Sequence, residues 1–309
     1  MKMIRIVLYV FLALFIIPQV NAIQMGIVTA SPRGTYYQIG EDIRSLVSRH
    51  GIDLIVYRSN GSIENVEAVH KRPGVQLGLV QPDVLAYIIY LSAKNSHMKQ
   101  VAKKIKMVFP LYHEEVHLVA RKNINNFLDL AGKVVAVGKE KSGSYLTANL
   151  LFKLAEIEPA QKIEIGSDQA IEALKRGEID AMFYVAGYPV KLFQEIVTEG
   201  LLHLVPIKDK SITEFYPVST IPASTYPWQN EAISTIALKA VLITYNYKSK
   251  ILCENVGQLA RTLSNNLGWL KQHGHQKWKN VDFDFELKKW EQYEGVNNEC
   301  PKTPLEPLS

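Results

Sequence analysis

Cysteine is nearly absent from this 309-residue chain, with Cys253 and Cys300 the sole examples, both in the last quarter. So small a complement excludes a disulfide-framed miniprotein and a four-thiolate metal centre. A dominant charge is missing too, because 35 basic residues face 30 acidic ones. That balance gives no basis for nucleic-acid binding, and runs such as Lys103-Lys104-Ile105-Lys106 read as solvated surface. Two nucleophile and nucleotide signatures are lacking as well. No G-x-S-x-G elbow occurs, and Gly138-x-x-x-x-Gly143-Ser144 has Ser144 where a phosphate loop requires lysine. Beyond the start of the chain, no apolar run approaches the ~20 residues that a membrane helix needs.

The start itself is distinctive. Lys2 and Arg5 precede an unbroken apolar run from Ile6 to Ile17, then Pro18 and the small-residue pattern Val20-x-Ala22. This predicts a secretory signal peptide over 1–22, cleaved after Ala22, and a periplasmic mature protein. No cysteine lies near that cleavage point, so no lipid anchor is expected. The mature chain of 287 residues would carry 33 basic and 30 acidic groups. It exceeds what one hydrophobic core usually serves, so two lobes are expected. In an oxidising compartment Cys253 and Cys300 are expected to pair.

From Gln24 onward one device repeats: a short apolar run, a turn rich in Gly, Ser, Thr or Asn, then an amphipathic stretch. Met25–Thr29 leads through Ser31–Thr35 to a helix with Ile39, Ile43, Leu46 and Val47 on one face. Leu54–Val56 and Leu77–Val80 begin two further repeats, and Pro82 suits a first helical position. After Arg121 the device resumes with Val134–Val137, Ile163–Ile165 and Ile179–Val185, and Gly177 reads as a helix-ending glycine. Strands alternating with helices imply parallel sheets covered by helices, an α/β class. Met107–Ala120 and Val218–Ile221 read as two extended crossings that form a hinge. The expected lobes are 23–111 with 220–309, and 112–219.

In open α/β sheets a ligand lies beyond the carboxyl ends of the strands, where helix N-termini aim unpaired N–H groups. Here those positions are Gly34-Thr35, Gly61-Ser62, Gln81 and Ser142-Gly143-Ser144, all small or neutral polar residues. Converging helix N-termini form a cradle for a carboxylate, although each Ser or Thr alone is equally explained as a helix cap.

A rival motif is His113-Glu114-Glu115-Val116-His117, which matches the zinc-protease pattern H-E-x-x-H. A zinc-dependent hydrolase needs both histidines on one helix face and Glu114 beside a zinc-bound water. The surroundings read as strand instead. Pro110 precedes closely, Val116–Ala120 is an apolar run, and Ala120 and Asn123 stand where a metzincin continues with Gly and His.

These segments resemble the TAXI family, the extracytoplasmic solute receptors of TRAP transporters. The resemblance runs in order through Gly34-Thr35-Tyr36-Tyr37-x-Ile39-Gly40, Ser62-x-Glu64-Asn65, Leu79-Val80-Gln81-x-Asp83-Val84 and His117-Leu118-Val119-Ala120-Arg121. It continues with Val137-Gly138, Ser142-Gly143-Ser144, Ala173-Leu174-x-x-Gly177-x-Ile179-Asp180-Ala181, Val185-Ala186-Gly187-x-Pro189 and Thr220–Pro227. It implies a type II periplasmic-binding-protein fold: two Rossmann-like lobes joined by a two-segment hinge. It also implies a ligand such as glutamate, glutamine or a related dicarboxylate, passed to a TRAP membrane permease, with no cofactor, metal or catalytic residue. An orphan receptor that signals its bound state to a sensory partner is the variant of this reading. The implied ligand contacts are Gly34, Thr35, Tyr36, Gly61, Ser62, Gln81, Ser142, Gly143, Ser144 and Tyr184. Ser31-Pro32-Arg33 departs from the glycine-rich lead-in of that family, and Arg33 there either meets a ligand carboxylate or stiffens the turn.

The cysteine expectation is directly testable. Thiol titration of the unfolded, unreduced protein should find no reactive group. Closing a loop of roughly 48 residues should contribute about 4 kcal/mol to stability, lost on reduction.

Overall fold

The structure, a computed structural model, describes residues 22–197, 200–287 and 290–301. Residues 1–21 of the predicted signal peptide lie outside that range. The first part of the chain forms β1 (Ile23–Val28), α1 (Thr35–Val47), β2 (Ile52–Tyr57), α2 (Ser62–Lys71), β3 (Leu77–Val80), α3 (Pro82–Ser92) and α4 (Ser96–Lys104). The long strand β4 (Ile105–Arg121) then leads to β5 (Val134–Ala136), α5 (Gly143–Leu154), β6 (Gln161–Ile163), α6 (Ser167–Arg176), β7 (Ala181–Ala186), α7 (Lys191–Gln194) and β8 (Leu202–Leu204). Last come α8 (Lys210–Thr213), β9 (Val218–Ile221), a second long strand β10 (Ile233–Tyr245), α9 (Lys250–Asn265) and α10 (Leu267–His273).

The main strand order is β2-β1-β3-β10-β4-β7-β5-β6, with β8 on β4 and β9 on β10. Three strands on one side, β2-β1-β3, are mutually parallel, as are β7-β5-β6 on the other. Between them β4 and β10 run antiparallel to each other. Lower β4 residues such as Phe109 and Pro110 pair opposite Leu242 and Val241, whose strand pairs β3, whereas Glu115–Ala120 pair with β7. One continuous strand therefore belongs to both halves. A register shift between Lys239 and Val241, opposite Pro110, marks the crossing, since proline cannot donate to the ladder.

The second crossing differs from the sequence expectation. Val218–Ile221 does not return the chain; it pairs with Ile233–Ile236 inside the second half, and Ile221 and Tyr226 are buried there. The return is made by β10, whose Ile236 and Leu238 pack with the second half and whose Val241 and Ile243 pack with the first.

Each half-sheet is covered on both faces, which explains why β3 and β7 read as apolar runs without alternation. In the first half, Ile39, Ile43 and Leu46 of α1 meet Leu259 and Leu263 of α9 over one face, while Val66, Leu85 and Val101 cover the other. In the second, Leu151 and Phe152 of α5 cover one face and Ile171 and Leu174 of α6 the other. Gly177 ends α6 in the left-handed region at φ 76°, as its position required.

Cys253 of α9 and Cys300 are joined, with Cα atoms 5.7 Å apart. The bridge holds the last described residues along α9, where Gly257 allows the Gly295 carbonyl to approach its Cα closely. Near this region Lys277 reaches back to the centre of β4. Its Nζ lies 2.7 Å from both carboxyl oxygens of Glu115, with side-chain exposures of 3% and 2%. The same ammonium sits 3.7 Å from the centroid of the Tyr188 ring. Removing one partner of so buried a pair strands a charge. Lys277→Met should cost about 3–5 kcal/mol in urea unfolding, and the double change with Glu115→Leu should recover much of that loss.

Candidate functional site

The carboxyl ends of the parallel strands and the N-termini of α1, α2, α3, α5 and α6 meet around a cavity of about 180 Å³ between the halves. All ten sequence-derived candidates line it: Gly34, Thr35, Tyr36, Gly61, Ser62, Gln81, Ser142, Gly143, Ser144 and Tyr184. Several more wall residues were not anticipated, including Ser59, Asn60, Glu114, Lys139 and Asp168.

Local chemistry builds the first wall. Asn65, fully buried on α2, donates from Nδ2 to the carbonyls of Thr29 and Leu79, both at 2.6 Å, and accepts from Ser59 Oγ at 2.6 Å. One amide thereby ties the ends of β1 and β3 to the turn before α2. In that turn Gly61 adopts φ 128°, a conformation that disfavours side chains. A Cβ on Gly61 would stand 3.4 Å from the Gly143 amide of the opposite half. Gly143 is tighter still, because a Cβ there would overlap the side-chain amide of Gln81. Glycine at both positions lets two helix N-termini approach across the cleft.

The helix ends are left open. Gly34, Gly61 and Gln81, the N-cap residues of α1, α2 and α3, make no side-chain capping bond, which leaves the first-turn amides of α1 and those of Ser62 and Ile63 on α2 to a bound group; on α3, Pro82 has no N–H and the Val84 amide donates to the Asp83 carboxylate. Ser142 differs: its Oγ accepts from the Tyr145 amide and caps α5. The hydroxyls are partly committed to protein. Thr35 Oγ1 donates to the Gly187 carbonyl at 2.5 Å, Ser144 Oγ accepts from the Val185 amide at 3.0 Å, and Ser62 Oγ accepts from the Gln81 amide at 3.1 Å. What these residues present to the cavity is mainly backbone.

Glu114 has 1% exposure and lines the cavity from β4. Tyr36 donates its hydroxyl to Glu114 Oε2 at 2.8 Å. Burial pushes the Glu114 carboxyl well above the ordinary carboxylate range, against the opposing pull of the Tyr36 hydrogen bond. Gln81 is also buried, and its Oε1 has no hydrogen-bond partner among the described residues. Strand alternation was the available signal for Glu114, since adjacent Glu114 and Glu115 must face opposite sides of a sheet. The H-E-x-x-H match drew attention to a different role for it.

That match falls on the strand β4. Four residues along a strand span about 13 Å, so His113 and His117 cannot share a zinc ion that holds each nitrogen at ~2 Å. Alternation also puts Glu114 on the face opposite both. His117 is wholly buried with both nitrogens engaged: Nδ1 donates to the Glu115 carbonyl at 3.0 Å, and Nε2 accepts from the Tyr226 hydroxyl at 2.7 Å. Tyr226 in turn accepts from the Val190 amide.

Arg33, next to the lining residue Gly34, reaches from the first half to the second. Its guanidinium pairs with Asp168 and, at 3.4 Å, with Glu195, while its carbonyl accepts from the Leu192 amide. Both acids belong to the second half, so Arg33 bridges the halves. Two further contacts join them, a partly buried one from Asp83 to Thr147 and an exposed one from Lys141 to Glu67.

This architecture, an α/β protein of two half-sheets joined by two strand crossings around an interior cavity, is the type II periplasmic-binding-protein fold. A model of the NMT1-like family matches residues 27–288, and the chain belongs to that family. Among solved structures it is similar to Tv2483 bound to L-arginine, at 14% identity and a TM-score of 0.51, covering 87% of this chain and 96% of that one. A protein from Xanthomonas citri bound to ATP aligns at 11% identity and a TM-score of 0.51, over 86% and 91% of the two chains. One from Bordetella bronchiseptica RB50 aligns at 12% identity with the same TM-score, over 87% and 86%. At these identities the likeness establishes the fold.

Burial lowers the His117 pKa from 6.5 to about 3. The unfolded chain therefore binds a proton below pH 6.5 that the folded chain refuses. Stability is present above pH 6.5 and should fall as pH drops, by roughly 3 kcal/mol between pH 7 and 4. His117→Gln should flatten that part of the stability profile in urea titrations run across this window.

Proposed function

We propose that this protein is a non-enzymatic solute receptor whose two lobes close on a small carboxylate. The observation that carries this reading is the cavity at the strand ends, bounded by five helix N-termini of which those of α1, α2, α3 and α6 lack a capping bond from the N-cap side chain. Such ends favour negative charge, and a carboxylate supplies acceptors for their amides. The lobes are best drawn at the crossings, near residues 111 and 239, with 112–239 as the second lobe. In this scheme Gly34, Thr35, Tyr36, Gly61, Ser62 and Gln81 contribute from the first lobe, and Ser142, Gly143, Ser144 and Tyr184 from the second.

The size of the cavity narrows the solute. About 180 Å³ lies below the ~300–1,000 Å³ of pockets for drug-sized ligands. An amino-acid-sized solute, such as the L-arginine of Tv2483, suits it better than a nucleotide such as the ATP of the Xanthomonas citri protein. Closure brings Arg33, Lys141 and Asp83 onto partners in the opposite half, so a ligand that favours the closed form stabilises these bridges. The TAXI-like motifs support export to the periplasm and delivery to a TRAP-type permease, with glutamate, glutamine or a dicarboxylate as the leading solutes.

The test is a thermal-shift screen of the stripped mature protein with acidic amino acids, glutamine and dicarboxylates. At least one should raise the melting temperature. Gly143→Val, which wedges a side chain against Gln81 and Ser62, should abolish that shift. Absence of any shift across the panel in the native protein would defeat the carboxylate-receptor reading.

A further inference from the structure

The cavity holds a carboxyl group that a carboxylate ligand does not explain. Glu114 is shut away from solvent, and apart from Tyr36 no described residue hydrogen-bonds its carboxyl. That bond is to Oε2, so Oε1 receives none, and Gln81, which lines the same cavity, has a buried Oε1 with no partner among the described residues. Donors, in contrast, are present: the uncapped first turns of α1 and α2, and Lys139 in the wall. A solute carrying only carboxylates meets those donors but brings no donor for Gln81 Oε1, whose burial unmatched costs about 1–3 kcal/mol, and no cation for Glu114. A protonated amine brings three donors in a compact group.

We propose that Glu114 is the specificity-determining residue of this cavity, and that the solute it selects presents a protonated nitrogen to it, making the ligand a zwitterion of the amino-acid type. The proposal rests on the receptor reading above and adds to it the polarity of the ligand: carboxylate toward the helix ends, nitrogen toward β4. Tyr36 acts as the positioning residue, because its hydroxyl occupies Oε2 and leaves Oε1 turned to the ligand.

A consequence for protons follows. The charged or titratable groups around Glu114 are Tyr36 from α1, Asp83 from α3, Tyr112 and Glu115 from β4, Tyr184 from β7, and Lys277 beyond the sheet. Of these Lys277 alone is a cation, and Glu115 holds it at 2.7 Å. With no cation of its own, buried Glu114 keeps a proton until the solute's nitrogen arrives, and that proton leaves to solvent on binding.

The experiment compares pairs that differ by one amino group, L-glutamate with glutarate and L-alanine with propionate, by titration calorimetry on the full mature chain. The amino member of at least one pair should bind at least roughly 10-fold tighter, equivalent to about 1.4 kcal/mol. Titrations of that ligand at neutral pH in buffers of different ionisation enthalpy should show release of close to one proton. Glu114→Gln should bring the two members of that pair to equal affinity and remove the proton release. Equal affinity within the pairs, or a preference that survives Glu114→Gln, overturns the proposal and leaves the receptor reading standing. Failure of every member of both pairs to bind removes the receptor reading and this proposal together. Should the variant not fold, the paired affinities and the proton count of the unaltered protein decide the matter.

Discussion

Backbone pairing between β4 and β10 is the constraint on which the rest of the molecule depends. Each half needs three parallel strands and helices on both faces to bury its apolar runs. Neither half closes alone, because β3 takes its second neighbour from β10 and β7 takes its second neighbour from β4. The shared pair is long enough to serve both, and its irregularity near Pro110 and Lys239 falls where the chain passes from one half to the other. A cavity between the halves is the result of that arrangement, since the strand ends and helix N-termini of both face the same gap.

Alternation along β4 then divides the polar work at the crossing. Successive side chains point to opposite faces, so Glu114 looks into the cavity while Glu115 looks to the back of the sheet. Both carboxyls are buried, and their surroundings differ. Glu115 is neutralised by Lys277, which also lies over the Tyr188 ring and so joins the C-terminal region to the second half. Glu114 has a phenol and no cation. Burial without a counter-ion is expensive unless the group is protonated or a partner arrives, and such a group in a cavity is a mark of function.

The H-E-x-x-H match shows how far a local pattern can be carried. Its residues have the composition of a metal site, but the period of the element decides which of them meet. On a helix His113 and His117 would face one ion; on β4 they are separated along the strand and Glu114 is behind them. Pro110 and the apolar run Val116–Ala120 made the extended reading available beforehand. The role of His117 as the middle of a chain from Val190 through Tyr226 to Glu115 was not available, because Tyr226 is 109 residues distant in sequence.

Taken by itself, the sequence determined the elements and the kind of turn at each strand end. Apolar runs of fixed length, the small residues Gly61 and Gly143 at helix starts, Gly177 at a helix end and the single pair of cysteines all act locally or through pairing by elimination. They were legible for that reason. Tertiary structure alone decided which crossing returns the chain, that Arg33 bridges the halves through Asp168 and Glu195, and that Glu114 forms a wall of the cavity. Those outcomes depend on strand register and on contacts between residues far apart in the chain, where a one-residue shift would exchange Glu114 for Glu115.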